Sequence, residues 1–81
     1  MDKTNPPPEE PATFGEWVKQ KRESKEFSQD KLSDKCDCDK GTISRIERDV
    51  HLPSFKTAIG LAPAFDMSLD TLADVLKKYS K

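Results

Sequence analysis

The apolar residues of this chain recur at helical intervals in five stretches, separated by polar or proline-containing breaks. Thr13 with Glu16 three residues on forms a capping box, and Phe14, Trp17, Val18 and the stem of Lys21 supply the buried face of a first helix running to about Lys25. Phe27 is an apolar anchor before the next start, and Ser28 caps a second helix over Gln29–Cys36. Leu32 and Cys36 share one face, Ile43 and Ile46 another. The two-residue step across Asp37 marks a bend, with Cys38 pointing back into the same core. Asp39 stands where an N-cap belongs, its carboxylate free to accept from the first amides of a third helix over Lys40–Arg48. Asp49 to Leu52 reads as a loop. Pro53 prepares a fourth helix whose apolar face is Phe55, Ile59, Leu61, Ala62 and Phe65. Gly60 and Pro63 weaken it, so it is expected to kink or end early. Ser68 caps a fifth, with Leu69, Leu72, Val75 and Leu76 at helical spacing to about Lys78. Five helices, no strand pattern and short connections predict an all-α orthogonal bundle.

Composition sets the boundaries of that bundle. Residues 1–12 contain Pro6, Pro7, Pro8 and Pro11 and no large apolar residue after Met1. Proline fixes φ and removes a donor, so a disordered or locally polyproline II arm is expected ahead of one folded domain over residues 13–81. A solvated tail is the plain reading of that arm; a ligand for a proline-binding partner is the other. At 81 residues, 33% hydrophobic and 36% charged, the chain supports one small domain with a thin core. No stretch approaches the roughly 20 apolar residues that span a bilayer, and no apolar run follows the start as in a signal peptide, so a soluble cytoplasmic protein is expected, with no membrane partner.

The second and third helices, Ser28 to Arg48, read as two short helices joined by a turn, the later one polar and basic. That is a shape able to enter a DNA major groove. The net charge of −1 is low for such a role, but it is segregated. Residues 1–12 sum to −2, and within 40–48 Lys40, Arg45 and Arg48 face only Glu47. Acids gather later, at Asp66, Asp70 and Asp74. Cys36 and Cys38 with His51 lack a fourth metal ligand, and both cysteines fall on apolar positions. Reduced, buried core cysteines and no metal or cofactor are therefore expected. No nucleophile–base set and no Gly-rich phosphate loop is present, which argues against an enzyme and against a small-molecule substrate.

These residues resemble the lambda-repressor-like family, which includes phage Cro and repressor proteins and the xenobiotic-response-element regulators. The resemblance runs from about Phe14 to Lys78. It rests on Ser28-Gln29 with Leu32, on Thr42-Ile43-Ser44-Arg45-Ile46-Glu47, on Pro53-Ser54, and on Met67-Ser68-Leu69-Asp70 with Leu72. It implies a five-helix helix-turn-helix domain that binds double-stranded DNA, commonly as a homodimer on a palindromic operator and most often as a repressor. The chain departs from the family where Asp37 and Asp66 replace turn glycines. Asp tolerates left-handed geometry at about 1 kcal/mol of strain. Ser33 stands for the small residue of helix two. Val50, His51 and Leu52 give little charge to the loop after helix three, which implies modest affinity.

The family pattern assigns roles residue by residue. Lys40, Gly41, Ser44 and Arg45 lie early on the outward side of helix three and would meet base edges. Ser28, Gln29, Thr42 and Arg48 would meet phosphates, Gln29 through its side chain and amide at a helix N-terminus. Arg22 and Glu47 would form an ion pair between helices one and three, presenting the guanidinium to phosphate. The implied function is a transcription regulator of a phage or mobile element, acting in the bacterial cytoplasm on the nucleoid by promoter occupancy. A dimer is expected to be weak or DNA-induced, with Leu69 to Tyr79 as its surface, because Tyr79 has no obvious intramolecular partner. Two further readings stand beside it: an antitoxin or restriction-modification controller with a protein partner, and a protein-interaction module that has lost DNA binding.

Overall fold

The computed structural model describes residues 10–79 and contains five helices: α1 Phe14–Ser24, α2 Gln29–Cys36, α3 Lys40–Glu47, α4 Phe55–Ala64 and α5 Leu69–Tyr79. Pro6, Pro7 and Pro8, and with them most of the expected arm, lie outside the described residues. At its near end Glu10 pairs with Lys78 at 3.0 Å, and the Ala12 amide donates to Glu16.

Local signals account for the helix starts. Thr13 accepts from the Glu16 amide, Ser28 from Lys31, Ser54 from Thr57 and Ser68 from Thr71. Asp39 breaks the pattern. Its backbone carbonyl accepts from Thr42 and Ile43, but its carboxylate makes no capping bond and instead lies close enough to Cys38 to act on that thiol.

The helix ends share one device. Glu26, Asp37, Asp49 and Asp66 all have φ between 55° and 62°. After each, the next amide reaches back five residues: Phe27 to Arg22, Cys38 to Ser33, Val50 to Arg45, Met67 to Ala62. Asp37 and Asp66 therefore take the left-handed geometry expected where the family has glycine. Pro63 does not end α4 early; it sits in the last turn, where the Phe65 amide closes the helix onto Leu61 and Ala62.

The core is one cluster fed by every helix: Phe14, Val18, Leu32, Cys36, Ile43, Ile46, Ala58, Leu61, Ala62, Phe65 and Leu72. Gly60 permits the crossing of α2 and α4, since a Cβ there would lie 2.7 Å from the Cys36 carbonyl oxygen. Four expectations about the core need correction. Phe55 and Ile59 point outward rather than into it, because α4 meets its neighbours through Thr57, Ala58, Leu61 and Ala62. Leu69 is exposed at the start of α5. Tyr79 does have an intramolecular partner, packing with Val75 and Leu76 against the core cluster. Cys38 is half-buried, whereas Cys36 is fully enclosed and burial pushes its thiol up to about 12.

Candidate nucleic-acid interface

The C-terminal end of α3 is held against both ends of α1. At its C-terminal end the Glu47 carboxylate, 4% exposed, takes Arg22 Nε at 2.6 Å and Arg22 Nη2 at 3.2 Å. Gln29 Nε2 donates to the same carboxylate at 3.0 Å, and Arg22 Nη1 donates to the Phe27 carbonyl at 2.8 Å. The bond to Glu47 raises the Arg22 pKa above its ordinary value against the opposing effect of burial. One carboxylate thus joins α1, α2 and α3 in a buried, charge-assisted fork. The expected pair is present. Its geometry directs Arg22 and the Gln29 side chain inward, so what α2 offers outward at its start is its backbone. There the Lys31 and Leu32 amides are taken by Ser28, while the Gln29 and Asp30 amides have no acceptor within the described residues.

The second hold comes from a residue that reads as loop in the sequence. Asp49 Oδ1 accepts from the Gly15 amide at 2.9 Å, and Asp49 Oδ2 accepts from Thr13 Oγ1 at 2.7 Å. A carboxylate from beyond the end of α3 therefore closes the start of α1. Gly15 makes this approach possible, because a Cβ would fall 2.5 Å from the Ile46 carbonyl oxygen. No local signal marks either residue, since their partners lie 34 and 36 positions away in sequence.

Ahead of these holds α3 presents its polar side. Lys40 and Arg45 are exposed, Gly41, Thr42 and Ser44 half-exposed, while Ile43 and Ile46 fill the core. The Arg45 guanidinium lies over Gly41, with Nη1 3.2 Å from where a Cβ would stand. Lys40 Nζ is 3.9 Å from Asp30 Oδ1 on α2, an exposed pair of little energetic weight. Arg48 Nε donates to Ser44 Oγ at 3.3 Å, so these two residues meet on the helix surface. The structure thus brings Ser28, Gln29, Lys40, Gly41, Thr42, Ser44, Arg45 and Arg48 onto the helix-turn-helix unit and places Arg22 behind it. No group of three or more potential metal ligands occurs among the described residues, and none of their helices is long and apolar enough to cross a membrane.

A buried fork and a carboxylate clamp that fix one short polar helix at the surface define a helix-turn-helix protein. A helix-turn-helix family model matches residues 18–72, and the chain belongs to that lambda-repressor-like family of DNA-binding regulators, which are not enzymes. Among solved structures it is similar to SinR, the master regulator for biofilm formation, crystallised in complex with DNA. The identity is 32% over 76% of this chain and 100% of that one, with a TM-score of 0.67. The restriction-modification controller protein C.AhdI from Aeromonas hydrophila is 27% identical over 73% of this chain and 89% of its own, with a TM-score of 0.66. The complex of SinR with SinI is 28% identical, covering 85% and 68%, with a TM-score of 0.68. No curated protein sequence matches the chain.

Proposed function

We propose that this protein is a sequence-specific regulator of transcription that lays α3 in the major groove of double-stranded DNA. The observation that carries the reading is the double hold on α3. Glu47 with Arg22 and Asp49 with Gly15 fix the helix, while Lys40 and Arg45 project from it without any buried partner. Lys40, Gly41, Ser44 and Arg45 face base edges; Ser28, the Gln29 amide, Thr42 and Arg48 face phosphates, and Arg22 acts through Glu47. The protein works as a homodimer, weak or formed on DNA, at a palindromic operator. It represses by occupying the promoter, as a phage or mobile-element repressor does, in the bacterial cytoplasm on the nucleoid.

Selection of bound sequences from a random duplex pool tests this. The expected product is an enriched palindrome whose affinity falls steeply as salt rises, because phosphate neutralisation releases counterions. A pool that never enriches contradicts it. The likeness to C.AhdI favours a second reading, control of a restriction-modification operon, in which the enriched site would lie upstream of such genes.

A further inference from the structure

Between α1 and the last turn of α5 lies a groove of about 380 Å³, lined by Trp17, Gln20, Lys21 and Ser24 from α1 and by Lys78 and Tyr79 from α5. Its aromatic parts are fixed from behind. Trp17 stacks on Phe14 with ring centroids 5.5 Å apart and meets Phe65 edge-on at 5.7 Å, while Tyr79 packs against the core. Both rings are half-buried, so each keeps part of its surface for the groove. Glu10 and Pro11 line the same groove. The chain entering α1 therefore lies against the helix it starts. The Ala12 amide donates to Glu16, and Glu10 pairs with Lys78, whose Nζ stands 5.5 Å from the centre of the Tyr79 ring.

We propose that this groove is the docking site of the chain's own Pro6-Pro7-Pro8 segment, which stands just ahead of Glu9 and Glu10 and outside the described residues. Three observations select that occupant. The first is the chemistry of the surface. Two aromatic rings with a polar rim suit a proline-rich segment, whose polyproline II form is preset by the fixed φ of proline and loses little entropy on docking. The second is reach. Pro6 precedes Pro11 by five residues, about 15 Å at the rise of polyproline II, whereas Trp17 to Ser24 covers about 10 Å of helix. The arm is long enough to run the length of the groove from the point where Glu10 and Pro11 line it. So short a tether also gives the segment an effective concentration on the order of millimolar, which favours it over a free partner. The third is charge. Residues 1–12 sum to −2, with Glu9 and Glu10 beside the prolines, and the groove's charged side chains from α1 and α5 are Lys21 and Lys78. Every lining residue belongs to α1, α5 or the arm and none to α2 or α3, so the proposal stands apart from the DNA-binding reading.

Trp17 is the single tryptophan of the chain, so its fluorescence reads the groove directly. Acrylamide quenching of Trp17 and nuclear Overhauser contacts from the Trp17 and Tyr79 rings are measured on the full chain. The proteins compared are wild type, a variant carrying Pro6→Ser, Pro7→Ser and Pro8→Ser together, and Lys21→Glu. Wild type is expected to show contacts from the two rings to Pro6, Pro7 and Pro8, with Trp17 shielded from acrylamide at every protein concentration. The triple-serine variant, whose substitutions lie outside the core, should keep wild-type helix content while its emission shifts to the red and its quenching rises. A synthetic peptide of residues 1–11 added to that variant should restore the shielding. Lys21→Glu should lose the ring-to-proline contacts with its arm intact. Equal quenching in wild type and the triple variant, with no contact between the rings and the prolines, would leave the arm solvated and overturn the proposal. Shielding that appears only as protein concentration rises would put the arm on a second copy and overturn docking within one chain.

Discussion

Each of the four left-handed helix ends carries a side chain where glycine is the least strained choice, and the four are not equivalent. Among the described residues the Glu26 side chain makes no hydrogen bond or ion pair, so Glu26→Gly relieves strain and is expected to stabilise the fold by about 0.5 kcal/mol. Asp49→Gly gains the same relief but loses the bonds to Gly15 and Thr13. At about 1 kcal/mol each they outweigh it, and the thermal midpoint should fall by roughly 4–8 °C. Thermal unfolding of the two variants side by side separates a strained turn from a strained clamp. Cys36 gives a pH signature. With its thiol pushed up to about 12 by burial and then by Cys38, it holds its proton where the unfolded chain's cysteine, with its lower pKa, has lost it. That contribution to stability is fully present below the unfolded value and is lost as pH rises toward 12. Denaturant unfolding should therefore show a shallower alkaline decline in Cys36→Ala than in the wild type; equal slopes would contradict this.

At the level of elements, the Glu47 carboxylate is the joint on which α1, α2 and α3 meet. Glu47→Ala strands the Arg22 guanidinium in a largely buried setting and is expected to cost roughly 3–5 kcal/mol, read from the urea midpoint. The helices themselves were legible in the sequence because their signals are local: Thr13, Ser28 and Ser68 cap as read, and the Arg22–Glu47 pair forms. What was not legible depends on distant partners. Phe55 and Ile59 share helical spacing with Leu61 and Phe65, and spacing alone cannot say which of two apolar stripes α4 turns inward. Gly60 looks like a weak point but is the contact that lets α4 cross α2. Asp39 has the right residue type for a cap and a backbone that caps, yet its side chain makes no capping bond. Asp49 has no local mark of the clamp it forms.

For the molecule as a whole, a net charge of −1 leaves binding to rest on arrangement rather than on bulk attraction. On the proposed reading the cations that matter stand on α3 and its C-cap, where Lys40 and Arg45 are exposed and Arg48 meets Ser44. The most direct test of that arrangement is a fluorescence anisotropy titration of wild type, Lys40→Ala and Arg45→Ala against the selected palindrome and a scrambled duplex, at one salt concentration. Surface changes on a helix shift stability by less than about 0.5 kcal/mol, whereas loss of a base contact costs roughly 1–3 kcal/mol. Both variants are therefore expected to fold as wild type and to lose between about fivefold and a hundredfold on the palindrome, with little change on the scrambled duplex. Unchanged affinity for the palindrome in both variants would contradict the placement of α3 in the major groove.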